Sequence, residues 1–138
     1  MIISNVAKLL KDRALPEIQS DKSVADACRV MCALDVRAVV VMQAGALLGV
    51  ISERDVVRQC VCAGRHTAET PVTEAMTREP KTVEADADLA QALQIMAEGG
   101  FHHIPVLRGG ETVGLISSDD IPDEYRMLLE RFREIRGG

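Results

Sequence analysis

The segment GVISERD at residues 49–55 occurs again as GLISSDD at residues 114–120, which is 65 positions later. Both copies consist of a glycine, two aliphatic residues, a serine, two variable residues and an aspartate. With this shift the chain matches itself without a gap over about 39 residues, a fixed-period self-similarity of the kind that marks structural repeats. Two copies are too few for a solenoid, so the repeat predicts a pair of equivalent units that pack face to face about a pseudo-twofold axis.

Each copy has the sequence pattern of a small β-α-β-β-α unit. A short strand around Ile18, or around Val83, precedes an amphipathic helix. Two apolar strands then follow around a glycine-containing turn, at residues 38–42 and 47–51 in the first copy and at 104–107 and 112–116 in the second. Four polar residues are placed to cap helices: Ser23, Ser52, Asp88 and Ser117. The predicted fold class is mixed α/β (α+β), with two tandem repeats.

The ends of the chain also have helical spacing. We expect an N-terminal helix at 1–13, a first copy at 14–67, a connector with one helical turn at 68–78, and a second copy at 79–138 that includes a C-terminal helix. The apolar residues of the two terminal helices are Ile2, Val6, Leu9 and Leu10 at one end and Tyr125, Leu128, Leu129, Phe132 and Ile135 at the other. The C-terminal helix either covers the protein's own core or forms part of a homodimer seam.

Composition excludes several classes of protein. Apolar residues make up 47% of the chain and aromatic residues 2%, so the core must be aliphatic and no stacking platform for single-stranded nucleic acid is expected. The net charge of −5 argues against a nucleic-acid backbone partner. No secretory leader and no apolar run of about 20 residues is present, so we expect a cytoplasmic protein without a membrane partner. Cys28 and Cys32 are interpreted as small buried residues rather than metal ligands.

The serine and aspartate of the repeated motif have two interpretations. A helix that begins at the serine offers unpaired N–H groups to an anion such as phosphate, and the aspartate can accept hydrogen bonds from two neighbouring ribose hydroxyls. The same Ser-x-x-Asp pattern is also a helix capping box, which needs no ligand. Repetition at the same place after the same strand favours the nucleotide interpretation.

This arrangement resembles the CBS-domain family over residues 14–121, and in particular its small stand-alone bacterial type. Residues 49–56 and 114–121 match the closing motif of that family, and FHHIPV at 101–106 matches its central strand. VTEAMT at 72–77 matches the entry to a second copy. The resemblance implies a flat module with two clefts between the copies, where members commonly bind AMP, ADP, ATP or related adenosyl ligands.

The resemblance also implies which residues bind the nucleotide. One cleft would combine Ser52 and Asp55 with His102 and His103, and the other would combine Ser117 and Asp120 with Arg37, Ala38 and Lys22. The remaining expected nucleotide-binding residues are Arg54, Ile104, Pro105, Val39, Ile18 and Val83. Pro122 should delay or bend the helix that follows the second motif, and Ala38 offers less contact than His103 does at the matching position. If only one cleft is occupied, we therefore expect it to be the cleft of Asp55 and His103.

Two classes of function remain open. The first is a regulatory module that senses an adenine nucleotide, requires no cofactor, forms a homodimer and signals to an unidentified effector protein. The second is an interaction or structural subunit that binds no ligand. We do not expect an enzyme, since no activated nucleophile or phosphate-binding glycine loop is present, and adjacent strand residues such as His102 and His103 face opposite ways.

Overall fold

The computed structural model describes residues 5–137, except for the side chains of residues 126, 128, 129, 132, 133, 136 and 137. The chain forms two compact units. Leu15–Pro80 make up the first unit, and the second consists of the segment up to Ala14 together with the residues from Lys81 onward. Each unit has its own sheet and its own hydrophobic core.

The sheet of the first unit has four strands in the order β1-β2-β3-β4. Their bounds are β1 Glu17–Gln19, β2 Ala38–Gln43, β3 Ala46–Ser52 and β4 Thr77–Arg78. β1 runs parallel to β2, whereas β2, β3 and β4 are antiparallel neighbours. The helices are α2 at Val24–Leu34 and α3 at Glu53–Val56, which continues into a π-helical turn at Val57–Val61; a 3-10 turn lies at Val72–Glu74.

Strand β2 lies at the centre of this unit because its side chains are buried on both faces. All five residues of Ala38–Met42 are buried, as the unbroken apolar run predicts for an internal strand. Residues from α2, β3 and the π-helical turn complete the core, among them Val24, Ile51 and Cys60. Gly64, with a φ of +72°, follows the π-helical turn and ends this helical segment, as predicted.

The second unit has a three-stranded sheet and recruits the N-terminal segment. Its strands are β5 Val83–Glu84, β6 His103–Arg108 and β7 Glu111–Ser117, and its helices are α1 Ala7–Leu10, α4 Leu89–Gly99 and α5 Asp123–Gly137. Val6 and Leu9 are buried in the core of this unit. The N–H of Val6 donates to the carbonyl of Ala87, and the N–H of Ala7 donates to that of Ala85, both at 2.9 Å.

Most predicted elements are confirmed, but two helices differ. The helix expected at 1–13 is confined, among the described residues, to Ala7–Leu10, because Lys11 and Asp12 adopt left-handed φ values of 50° and 61°. The helix expected to start near Ser117 is replaced by a 3-10 turn at Ser118–Asp120, and α5 begins only at Asp123. The residue before Pro122 is extended, since proline disfavours the helical conformation of its predecessor.

The apolar residues expected on the terminal helices are only partly described. Tyr125 packs against the core of the second unit, whereas Ile135 is exposed. Ile2 lies outside the described residues, as do the side chains of Leu128, Leu129 and Phe132. No helix in the described part of the chain has the length and apolar content needed to cross a bilayer.

Candidate functional site

The first motif forms a complete capping box where β3 passes into α3. The N–H and hydroxyl of Ser52 donate to Oδ2 of Asp55 at 2.9 and 3.0 Å, and the N–H of Asp55 donates back to Ser52 Oγ at 3.2 Å. The N–H of Glu53 donates to the carbonyl of Arg37 at 3.0 Å. These bonds pair N–H groups that a helix start otherwise leaves without a partner.

The other carboxylate oxygen of Asp55 has a different neighbour. Oδ1 accepts a hydrogen bond from the hydroxyl of Thr77, on β4, at 3.3 Å. A carboxylate oxygen can accept about two hydrogen bonds, so Oδ1 retains acceptor capacity beside an exposed hydroxyl. Asp55 itself is half-buried. The structure thus gives Oδ2 to the fold and leaves Oδ1, on this half-buried residue, beside the hydroxyl of exposed Thr77.

The second motif repeats the cap but gives the aspartate a charged partner. Ser117 N–H donates to Oδ2 of Asp120 at 2.8 Å, and the N–H of Asp119 donates to Ser117 Oγ at 3.2 Å. Oδ1 of Asp120 accepts from Nη1 of Arg13 at 2.7 Å. The exposed fraction of the Arg13 side chain is 43%, and that of Asp120 is 18%. This aspartate is therefore capped on one oxygen and ion-paired on the other.

The motif glycines bring these partners into position. A Cβ added to Gly49 would lie 2.5 Å from the carbonyl oxygen of Thr77 and 2.7 Å from Sδ of Met76. A Cβ added to Gly114 would lie 2.5 Å from Cδ2 of Leu10. In each unit the glycine leaves room for a distant segment to approach the strand closely, and that segment includes the partner of the aspartate.

Thr77 and Arg13 were not among the residues predicted from the sequence. The sequence contains one signal that could have pointed to Arg13. The 65-residue shift that relates Asp55 to Asp120 also relates Arg13 to Arg78, so both repeats have an arginine at this position. That equivalence does not extend to the contacts, however. Arg78 Nη2 donates to the carbonyl of Thr73 at 3.1 Å, and it is Thr77 that contacts the aspartate in the first unit.

The two histidines predicted to bind nucleotide, His102 and His103, lie at or just before the start of β6. Only His103 belongs to the strand, where it is half-buried and pairs in register with Ser117. His102 is exposed and precedes the strand, so the expectation that both histidines lie on it is wrong. The carbonyl of His102 accepts from the N–H of Ser118 at 2.9 Å, and its Nδ1 is 3.5 Å from the Ser118 hydroxyl.

Comparison with known proteins identifies the family. The CBS domain model matches residues 3–61 and 72–125. The chain belongs to the CBS domain family. Among its relatives, CBS domain-containing protein CBSCBSPB2 of Arabidopsis thaliana is 38% identical over 112 residues, which are 80% of this chain and 21% of that protein. The chain therefore spans only about a fifth of the first curated relatives that it matches, at 21% and 20% of their lengths.

Solved CBS structures share the fold. A CBS-domain containing protein from Agrobacterium tumefaciens superposes with a TM-score of 0.76 at 29% identity, over 94% of this chain and 93% of that one. A CBS domain protein from Pyrobaculum aerophilum, solved in complex with AMP, has a TM-score of 0.80 over 91% of this chain and 96% of that one. Its identity of 23% makes this a likeness of fold alone. The predicted α+β chain with two tandem CBS repeats is confirmed.

The other predicted residues fall into two groups within the CBS repeats. The cationic side chains are exposed: Lys22, Arg37 and Arg54. The apolar residues are buried: Ile18, Ala38, Val39, Val83, Ile104 and Pro105. Among the latter, Ile18 and Val83 belong to the cores of the first and second unit, respectively. Their packing explains why these residue types occur there, and a role in binding stays a prediction for all of them.

The cysteines of this CBS protein occupy different environments. Cys60 is buried, Cys28 is half-buried, and Cys32 is exposed, so the expectation that Cys32 is buried is wrong. The buried face of α2 is formed by Val24, Ala27 and Met31, and Cys32 falls outside it. Burial, with a smaller contribution from Cys32, raises the pKa of the Cys28 thiol. Within the described residues, no group of three or more histidine, cysteine or acidic residues could hold a metal ion.

Proposed function

We propose that this CBS pair is a regulatory module that binds an adenosine-containing nucleotide such as AMP, ADP or ATP. Pairs of CBS domains are commonly regulatory and bind adenosyl ligands, and the Pyrobaculum aerophilum neighbour was solved with AMP. The single observation that carries the proposal is the divided use of the Asp55 carboxylate. One oxygen caps α3, and the other has acceptor capacity beside the Thr77 hydroxyl.

The chemistry of this position suits the sugar of a nucleotide. Ribose presents two neighbouring hydroxyls, which donate to a carboxylate oxygen, and a hydroxyl such as that of Thr77 both donates and accepts. The exposed cation Arg54 is a candidate for phosphate at this position, because it adds local positive charge to an acidic protein. The resemblance assigns the other two exposed cations, Lys22 and Arg37, to the site of Asp120. That His102 and His103 contribute to the site of Asp55, as the resemblance implies, stays a prediction.

Regulation would follow from differential binding. A nucleotide that binds one arrangement of the module more tightly than another shifts the population toward it, and a partner reads the change. On this proposal the chain is not an enzyme, and it acts as a cytoplasmic homodimer on an effector protein. Solved bacterial chains that it covers at 90% and 93% support a small bacterial type of CBS protein.

One observation favours the alternative, a ligand-free interaction subunit. The Ser-x-x-Asp motifs make full capping boxes, a role that needs no nucleotide. The capping box of Ser23 and Asp26 on α2 shows that the same chemistry serves the fold elsewhere in the chain. The experiment must therefore separate loss of a cap from loss of a binding group.

The test is a nucleotide panel on the wild-type protein and two matched variants. Thermal unfolding and calorimetry with AMP, ADP and ATP should show binding, with about 2.7 kcal/mol of stabilisation at a hundred times the dissociation constant. Asp55→Asn should weaken binding, whereas Asp26→Asn, which alters an equivalent cap, should leave the affinity unchanged. Equal affinity in both variants would remove the assignment of Asp55. Absence of binding by the wild-type protein would favour the ligand-free subunit.

A further inference from the structure

The two repeats differ in what occupies the second oxygen of the motif aspartate. In the first unit Asp55 Oδ1 accepts from a neutral hydroxyl at 3.3 Å, and in the second unit Asp120 Oδ1 accepts from the Arg13 guanidinium at 2.7 Å. We propose that Arg13 withholds Asp120 from nucleotide, so that Asp55 alone provides the ribose-binding carboxylate. This inference rests on the proposed function.

Arg13 is fixed in place by more than the aspartate. Its Nε donates to the carbonyl of Leu10 at 2.9 Å and its Nη2 donates to the carbonyl of Leu9 at 2.9 Å. These carbonyls belong to the last turn of α1, which ends there because Lys11 is left-handed. The guanidinium thus caps α1 and pairs with Asp120 at the same time. If the ion pair broke, the guanidinium would keep only its two hydrogen bonds to the carbonyls of α1.

A ribose hydroxyl is a weak competitor for this carboxylate. A charge-assisted hydrogen bond is roughly twice as strong as a neutral one. A sugar hydroxyl must therefore either displace the guanidinium from Oδ1 or share that oxygen with a cation that two further hydrogen bonds hold in place. The opposite oxygen is already used twice, since Oδ2 accepts from both the N–H and the hydroxyl of Ser117, at 2.8 and 3.4 Å. At Asp55 the group to be displaced or shared is a neutral hydroxyl, that of Thr77.

The difference arises from the segments that precede the repeats. Thr77 and Arg78 form a strand antiparallel to β3, with Thr77 in register with Val50, and Arg78 is turned to the carbonyl of Thr73. At the equivalent position in the second unit Arg13 follows two left-handed residues and reaches Asp120 instead. An arginine at the same position of the repeat therefore pairs with the motif aspartate in one unit and with a backbone carbonyl in the other.

The experiment counts AMP molecules per chain by calorimetry. The wild-type protein should bind one. Asp120→Asn should change neither the stoichiometry nor the affinity, whereas Asp55→Asn should weaken binding at least about tenfold. Arg13→Gln should add a second AMP, and Arg78→Gln, the matched control, should not. In the Asp55→Asn background, Arg13→Gln should restore binding of one AMP.

The outcomes separate this inference from the proposed function. Two AMP molecules on the wild-type protein, one of which is lost in Asp120→Asn, would overturn the role of Arg13 and leave the nucleotide module intact. Failure of a folded Arg13→Gln variant to gain a second AMP would also overturn that role. Absence of binding of AMP, ADP and ATP by the wild-type protein and every variant would overturn both proposals. Should Arg13→Gln fail to fold, the Asp120→Asn measurement decides between one site and two without any change to Arg13.

Discussion

Replacement of Gly49 by alanine should destabilise the first unit although it adds a single methyl group. The new Cβ would lie 2.5 Å from the carbonyl oxygen of Thr77, where ordinary contacts begin at 3.4 Å. The obstructing atom belongs to the backbone of β4, which pairs with β3. Rotation of a side chain therefore cannot relieve the overlap, and β4 itself must move. The φ of Gly49 is not left-handed, so steric overlap rather than backbone strain decides the outcome.

The magnitude follows from three contributions. Overpacking in a well-packed region costs about 1–3 kcal/mol. Weakening of the hydrogen bond between Thr77 and Asp55 adds about 0.5–1 kcal/mol. The lower chain entropy of alanine in a strand offsets about 0.5–1 kcal/mol. The free energy of unfolding of Gly49→Ala should therefore be about 2 kcal/mol lower than that of the wild-type protein.

Gly114→Ala is the matched control at the equivalent position of the second motif. Its Cβ would meet the end of the Leu10 side chain at 2.5 and 2.8 Å, and this half-buried side chain can adopt another rotamer. We expect a loss below about 1 kcal/mol. Urea unfolding followed by circular dichroism measures both. If Gly114→Ala is as costly as Gly49→Ala, or if Gly49→Ala leaves stability unchanged, close approach of β4 is not what fixes this glycine.

Two further predictions concern titration and thiol reactivity. Backbone and side-chain hydrogen bonds from Ser23 hold the pKa of Asp26 below its usual value of 3.8, so the stability that this carboxylate adds is present above that pH and lost as the pH falls through the lowered pKa. Unfolding free energies measured from about pH 5 to pH 2 should fall less steeply in Asp26→Asn than in the wild type; equal slopes would contradict this. In alkylation followed by mass spectrometry, exposed Cys32 and Cys62 should react before Cys28, whose pKa is raised by burial. Equal rates would contradict this and would show that α2, which carries Cys28, opens readily.

The elements that sequence predicts well are those whose causes are local. The apolar run of β2 predicts a strand buried on both faces, and the structure has one. Ser23 with Asp26 predicts a capping box at the start of α2, and both of its bonds are present. Pro122 predicts that the helix after the second motif is delayed or bent, and only a 3-10 turn precedes α5, which begins at Asp123. In each case the physical cause acts within a few residues.

What the sequence did not predict depends on long-range contacts. The end of α1 lies at Leu10 because Lys11 and Asp12 adopt left-handed conformations, and neither residue type demands this. The N-terminal segment packs into the second unit, through contacts between residues about 80 positions apart such as Val6 and Ala87. The ion pair of Arg13 with Asp120, 107 residues away, is a consequence of that packing.

The capping and nucleotide interpretations of the repeated motif are compatible, because a carboxylate has two oxygens. Oδ2 of each aspartate caps the helical turn that follows its strand, so the motif stabilises the fold with or without a ligand. The partner of Oδ1 comes from the segment that packs against the motif glycine. This segment supplies a hydroxyl to Asp55 and a guanidinium to Asp120. Two motifs that are equivalent in sequence therefore need not be equivalent in binding. The motif predicts the cap from its own residues, whereas its capacity for ribose depends on a residue more than 20 positions away in one unit and more than 100 in the other.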